Sequence, residues 1–327
     1  MARLPATPHH IACLGGGHGL FQTLLAARDL DSEKISAIVT VADDGGSSGR
    51  LRRELDLIPP GDLRMALAAL ADDGEQEGLW ATTLQHRFGG TGALAGHAVG
   101  NLLIAGLTEV VGEMQEALDI VARLTRSHGR VYPVVEQPLD IEAEVAGLDE
   151  DPTVMRPVRG QVAVATTPGN VRRVRILPQA PAANPAALEA LSRADFITLG
   201  PGSWFTSVIP HVLVPDIVDA INASSAPRVV VLNLSAEPGE THGFSAERHV
   251  QVLAQHAAGL HIDRIVVDSA APLADTEKKY LRRAADSLGA AVVFAEVSAQ
   301  DEDGGRRSLH DPAKLARVFG EIYRGEV

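Results

Sequence analysis

Cysteine occurs once in this sequence, at position 13 within an apolar run, so no intrachain disulfide can form and a reducing, cytoplasmic setting is expected. Cationic side chains are in deficit: 29 Lys and Arg stand against 42 Asp and Glu, a formal charge of -13. A field of that sign repels nucleic acid and anionic lipid. Neither is an expected partner, and any phosphate ligand must be held by local groups. The twelve histidines are scattered, with no HExxH and no Cys/His cluster, which argues against a transition-metal centre. No apolar run reaches membrane-span length, since "NLLIAGLTEVVG" carries Asn, Thr and Glu, and "MARLPATPHH" is too short and interrupted for a signal peptide. Neither export nor membrane insertion is expected.

What the chain does have is 45% hydrophobic residues over a length of 327, enough for one large or two small α/β domains with a sizeable core. Short β-rich runs recur, each followed by a helical pattern: "HIACL", "SAIVTV", "DFITLG", "RVVVLNL", "RIVVD" and "AAVVFAEV". Unbroken apolar runs are what strands buried on both faces look like, so a mainly parallel sheet in a three-layer α/β/α architecture is expected. Across 131–181 the texture changes to the alternation of "LDIEAEVAG" and "VRRVRIL", which reads as a small antiparallel β segment inserted into a single α/β domain spanning 1–327.

Three glycine loops follow apolar strands. The first, Gly15, Gly16, Gly17, His18 and Gly19, leads into a helical pattern and suits an anion at a helix N-terminus, or simply a tight βα turn. It lacks a P-loop lysine and the GxGxxG spacing. The second, Gly45-Gly46-Ser47-Ser48-Gly49-Arg50, follows Asp43 and Asp44. It also satisfies GxSxG with Ser47 as the serine, although in a hydrolase the strand leads directly into the first glycine. Arg50 stands where a helix should begin, and a cation there opposes the helix dipole unless something anionic compensates. The pattern recurs in "PPGDLRMAL", with Asp62 as an N-cap and Arg64 in the first turn. The third loop, "LGPGSWFTS", supplies Gly200, Gly202, Ser203, Thr206 and Ser207. Ligands of open α/β sheets collect beyond the C-terminal strand ends, so the three loops point to one cleft. "GHAVGNLLIAGL" reads as a buried helix placing His97 and Asn101 on one face, and Asn233 follows a further strand before Glu237, Glu240 and Thr241 in a turn. Asp43 and Asp44 are candidate ligands for Mg²⁺, which takes one or two carboxylates plus phosphate oxygens and waters. Alternatively, one Asp accepts a sugar hydroxyl and the other caps the loop.

The segments "GGGHGL", "VTVADDGGSSGRLR", "PPGDLR", "GHAVGNLL", "LGPGSWFTSVIP" and "EPGETHGF" resemble, in order and spacing, the YvcK or gluconeogenesis factor family of the CofD-like superfamily. The likeness runs from about Ile11 to Phe319. It implies a Rossmann-like fold, a nucleotide-sugar ligand of the UDP-N-acetylglucosamine type, and a role linking gluconeogenic carbon metabolism to cell-wall synthesis and cell shape. By the same resemblance, Gly15 to Gly19 and Asp43 to Ser48 would contact the diphosphate and any metal, with Asn101, Gly202, Ser203 and Thr206 completing the pocket. His18 stands where Thr is common, Met65 where Asn is common, Glu237 where Gln is common, Leu309 where Arg is frequent and Pro312 where Thr occurs.

The leading expectation is a cytoplasmic nucleotide-sugar-binding regulator with a protein partner that the sequence does not name. Its competitor is a Mg²⁺-dependent transferase of the CofD branch, moving a phospholactyl-type group from a nucleoside-diphosphate-linked donor; a serine hydrolase at Ser47 is a third reading. A chain of this kind could also form a C2 dimer.

Overall fold

The computed structural model describes residues 7–151, 153–237, 239–301 and 305–327. Seven parallel strands form the central sheet: β1 (His10–Gly15), β2 (Lys34–Val39), β3 (Gly129–Pro133), then β7 (Phe196–Leu199), β8 (Arg228–Val231), β9 (Arg264–Asp268) and β10 (Ala291–Ala295). Between them in sequence lie β4 (Asp140–Ala146), β5 (Met155–Arg159) and β6 (Asn170–Leu177), an antiparallel sheet in the order β5-β4-β6. A hairpin of β11 (Ser298–Gln300) and β12 (Arg306–His310) follows the last parallel strand.

The central order is β10-β9-β8-β7-β1-β2-β3. From β1 the chain winds outward through β2 and β3, whereas from β7, on the other side of β1, it winds outward through β8, β9 and β10. The reversal falls between β1 and β7, and in an open α/β sheet that switch point opens a crevice at the C-terminal strand ends.

Strand β1 is buried along its whole length. Helices Gly17–Asp29, Gly61–Leu70 and Pro312–Tyr323 pack around one another on one side of the sheet; Pro185–Arg193 and Pro215–Ala223 pack together on the other. Phe196 of β7 and Phe319, both fully buried, meet with ring centroids 5.4 Å apart. Burial also pushes the Cys13 thiol far above its usual range, leaving a small apolar core residue without thiolate chemistry. Among the described residues no single helix is long and apolar enough to cross a membrane.

The three-layer α/β/α, Rossmann-like reading and the small antiparallel sheet are both present. Five local expectations are corrected. The edge strand β3 pairs with β2 from Ile35 to Val39, so residues 131–133 belong to the central sheet and the antiparallel strands begin only at Asp140. Helix Gly46–Leu55 starts at the second glycine of its loop, which places Arg50 in mid-helix, and helix Gly61–Leu70 has Pro60 at its N-cap, which places Asp62 inside the first turn. Helix Val99–Val111 buries only one face, leaving Val110 82% exposed, and His97 precedes it.

The inserted sheet is tied down at separate points. His256 Nε2 accepts from the Val174 N–H at 3.0 Å, and Arg52 Nη2 donates to Asp140 at 2.6 Å. A five-residue helix, Gln161–Ala165, leaves β5 and reaches the C-terminal edge of the central sheet, where Asp44 Oδ1 accepts from the Val162 N–H at 2.9 Å.

Candidate functional site

The first glycine loop is shaped by its contacts. Gly16 is extended, and Gly17 turns the chain at φ 58° into helix Gly17–Asp29. A Cβ at Gly16 would stand 2.5 Å from Asp62 Oδ2, and one at Gly19 would stand 2.1 Å from the Pro201 carbonyl oxygen. Only glycine allows the loops after β1 and β7 to close to this distance. The loop thereby packs against Asp62 on one side and the third loop on the other, and of its residues His18 and Gly19 line the larger of two neighbouring cavities.

The smaller cavity, about 220 Å³, is lined by Asp43, Gly45, Gly46, Ser47, Ser48, Gly61, Asp62, Arg64, Met65, Arg87 and Asn101. Asp43 Oδ1 accepts from the Gly45 N–H at 2.9 Å. Burial raises the Asp43 carboxyl above its ordinary value despite that bond and Ser48. Asp62 is pushed up to about 7, first by burial and then by Asp43, while the Gly17 N–H and Arg64 favour its ionised form. Asp62, from the next helix, therefore stands close enough to Asp43 to be raised by its charge, while Asp43 itself is raised, after burial, by Asp44. Asp44, the chain neighbour expected to pair with Asp43, turns to the Val162 N–H. Arg64 is 3% exposed; its guanidinium donates to Gln85 Oε1, yet its Nε has no partner. Asn101 Nδ2 donates to Ser47 at 3.0 Å, while Asn101 Oδ1 has no partner. The cavity thus presents two desolvated carboxyls, a buried cation with an uncommitted donor, and a buried amide with an uncommitted acceptor.

Ser47 and His97 serve this wall from behind. Ser47 Oγ accepts from Asn101 Nδ2 and, at 3.3 Å, from the Ala98 N–H, and lies 3.0 Å from His97 Nδ1. Burial, then Arg50, lowers the His97 pKa; because Ser47 Oγ already accepts from two N–H groups, its hydroxyl donates to His97 Nδ1. Both lone pairs and the hydrogen of Ser47 are committed, and the side chain is 2% exposed. A nucleophile needs a lone pair free for substrate; this hydroxyl joins two helix starts instead. Arg50 likewise faces away, donating through Nη2 to the Ala95 carbonyl at 2.8 Å.

The larger cavity, about 420 Å³, lies at the switch point and is lined by His18, Gly19, Gln22, Pro201, Gly202, Asn233, Glu237, Ser308, Leu309 and His310, with 234–236 between. Asn233 holds the third loop: Oδ1 accepts from the Gly202 N–H at 3.0 Å and Nδ2 donates to the Gly202 carbonyl at 2.9 Å. Beyond Ser203, residues Trp204–Val208 form a fully buried π-helical turn containing Thr206, a distortion found often at functional sites. His310, neutral because burial lowers it to about 4, lies 3.2 Å through Nε2 from the Leu232 carbonyl. Gly15 ends β1 and supports the loop rather than lining either cavity.

Among the described residues no group of three or more His, Cys, Asp or Glu forms a metal cluster. The smaller cavity still suits a hard cation held by two carboxylates with waters and a ligand oxygen, which needs fewer protein donors.

A model of the family described as 2-phospho-L-lactate transferase CofD matches residues 11–301. The chain belongs to the CofD family. Within the CofD family it is similar to the gluconeogenesis factor of Halalkalibacterium halodurans, 38% identical over 280 residues that make up 85% of this chain and 83% of the relative. A Mycobacterium tuberculosis H37Rv protein provisionally given the same name is 56% identical over 317 residues, 97% of this chain and 91% of its own. A crystal structure of a UPF0052-family protein from Bacillus halodurans superposes with a TM-score of 0.81 at 34% identity, covering 95% of this chain and 99% of that one.

Reading the sequence missed Arg87, Gln22, Ser308 and His310 as lining residues of this CofD-family cleft. Arg87 sits in an excursion between helices, and Ser308 and His310 arrive on the β11–β12 hairpin from the far end of the chain. Only Gln22 lies near one of the three loops, three residues past Gly19 in the helix that the first loop opens; the other three are distant from them in sequence, so no local pattern marks them.

Proposed function

We propose that this protein is a cytoplasmic regulator that binds a nucleotide diphosphate linked to a sugar, of the UDP-N-acetylglucosamine type, and couples gluconeogenic carbon metabolism to cell-wall synthesis and cell shape through a protein partner. The observation that carries the binding reading is the smaller cavity, where Arg64 Nε and Asn101 Oδ1 are buried without partners beside Asp43 and Asp62. A buried donor and acceptor left unmade are costly, and a phosphate oxygen with metal-bound water answers both. In this reading Mg²⁺ is held by Asp43 and Asp62, and when bound it supplies positive charge against the diphosphate. Arg64 and Arg87 add charge from the protein, Gly45 and Gly46 keep the floor open, and the sugar and base extend past the first glycine loop into the larger cavity.

The test is isothermal titration of the purified protein with UDP-N-acetylglucosamine, UDP and GDP, each with and without Mg²⁺. Selective, Mg²⁺-dependent binding of UDP-N-acetylglucosamine without release of UDP supports the regulatory reading, and Asp43→Asn should abolish the Mg²⁺ dependence. Binding indifferent to Mg²⁺, or absent for all three, would sink it.

A further inference from the structure

The two edges of the central sheet are finished differently. Along β3, Gly129, Val131 and Pro133 turn their backbone groups outward, and side chains meet nearly all of them. Ser127 Oγ donates to the Gly129 carbonyl at 2.8 Å and accepts from its N–H at 3.3 Å; Gln115 Nε2 donates to the Val131 carbonyl at 2.9 Å and Asn184 Nδ2 to the Pro133 carbonyl at 3.1 Å. At the other edge, β10 meets β9 through Ala291, Val293 and Ala295: the Ala291 N–H donates to the Asp263 carbonyl at 3.0 Å, and the Ala295 carbonyl accepts from the Ser269 N–H at 2.9 Å. Val292 and Phe294 therefore direct both their backbone groups outward. Among the described residues no strand, backbone group or side chain bonds any of these four groups. The strand "AVVFA" has no proline, lysine or bulge, the usual guards of an open edge, and Val292 to Ala295 are only half-buried.

Positive charge gathers beside this edge. Helix Asp275–Asp286 packs on β10, with Lys278 Nζ 5.9 Å and Arg282 Cζ 5.5 Å from the centre of the Phe294 ring. Arg282, Arg283 and Lys279 are exposed, and among the described residues none has a carboxylate within ion-pair distance; Lys278 reaches only Asp275, at 3.9 Å. The acids of this helix stand at its ends, Asp275 and Glu277 in the first turn and Asp286 at the last position. Glu296, just past the strand, is already paired with Lys314. In a chain of formal charge -13 the sign is reversed here.

We infer that β10 is a docking edge for an extended acidic segment of a partner protein, which lengthens the central sheet by one strand. The segment's backbone pairs with the Val292 and Phe294 N–H and carbonyl groups. Its acidic side chains, at alternate positions, lie on the Phe294 face beneath Arg282 and its neighbours, and its apolar ones lie on the opposite face beside Val293. A second copy of this chain fits less well. Antiparallel pairing of two β10 strands about a two-fold axis sets both cationic helices on the same face of the joined sheet, like charge beside like. Neither cavity is lined by β10 or by this helix, so the inference stands apart from the ligand reading above.

The probe is a seven-residue peptide of alternating Glu and Val, compared with its Lys and Val counterpart and with a fully N-methylated analogue that cannot pair as a strand. Titrated into the purified protein at low ionic strength, the acidic peptide should bind saturably. At about ten times its dissociation constant it should slow amide exchange at Val292 and Phe294 about tenfold, because only the free fraction exchanges. The basic and N-methylated peptides should give no such protection. Arg282→Glu combined with Arg283→Glu, both on exposed positions, should weaken the acidic peptide about tenfold or more. No saturable binding at millimolar acidic peptide, or equal binding by the N-methylated analogue, overturns the docking edge; unchanged affinity in the double variant overturns its acidic specificity. Val292→Pro removes an outward N–H without touching the bonds to β9. A wild type that sediments as a dimer, with a folded Val292→Pro variant that is monomeric, gives the edge to a second copy and overturns the partner.

Discussion

At the scale of single residues, His211 shows how a buried polar group constrains the fold. It is fully buried between the π-helical turn and β2, with Nδ1 2.9 Å from the Ser207 carbonyl and Nε2 3.1 Å from the Ile38 carbonyl, and the single N–H of its neutral ring donates to one of the two. Burial outweighs both carbonyls and lowers it to about 4. With the folded value below the unfolded 6.5, its neutral form stabilises the protein above that pH, and the stability is lost as pH falls from about 6.5 toward 4. The shift corresponds to a contribution on the order of 3 kcal/mol. Denaturant midpoints at pH 7 and pH 4.5 should show the loss, and His211→Gln should start less stable but lose less. Gly19 makes the companion case. Its glycine identity is legible in the sequence, whereas the reason, the Pro201 carbonyl on a distant loop, is not. Gly19→Ala should separate the loops, lower stability by about 1–3 kcal/mol or more, and reduce nucleotide-sugar affinity beyond detection by calorimetry.

Among the elements, the helix Gln161–Ala165 links the inserted sheet to the cleft. It approaches the second glycine loop, where a Cβ at Gly45 would stand 2.9 Å from Val162 Cγ2, and it also meets the turn at Gly239. Asp44→Ala removes the acceptor for the Val162 N–H and should cost about 1 kcal/mol. Hydrogen exchange at Val162 to Val164 should accelerate while Mg²⁺ affinity stays that of the wild type; a lost Mg²⁺ response would instead return Asp44 to the cation site. The central strands were legible because burial on both faces makes them unbroken apolar runs, as in "HIACL" and "RIVVD". β3, "GRVYP", and the β11–β12 hairpin with "RRSLH" lack that signature because they lie at an edge or outside the sheet. The exposed side of helix Val99–Val111 was illegible for the opposite reason: its composition is apolar on faces that the fold leaves uncovered.

For the whole molecule, charge sets the approach of any anionic ligand. On the proposed function, the formal charge of -13 opposes a diphosphate at long range, while Arg64 and Arg87 would attract it only inside the cleft. Raising ionic strength shortens the screening length from about 30 Å at 0.01 M to about 8 Å at 0.15 M. The association rate for UDP-N-acetylglucosamine should therefore rise with added salt, opposite to the behaviour of a nucleic-acid-binding protein; stopped-flow rates falling with salt would contradict this account of the field.

The switch point has a consequence for biosynthesis. β1 must pair with β7, and the His10 N–H bonds to Asp195 across a separation of 185 residues. At roughly 5–20 residues per second, this interior strand waits about 10–40 s on the ribosome with one edge open. During that interval a largely apolar strand offers unpaired backbone groups to any neighbouring chain. Nascent chains truncated before residue 196 should therefore bind holdase chaperones persistently, and those extended past β8 should be released.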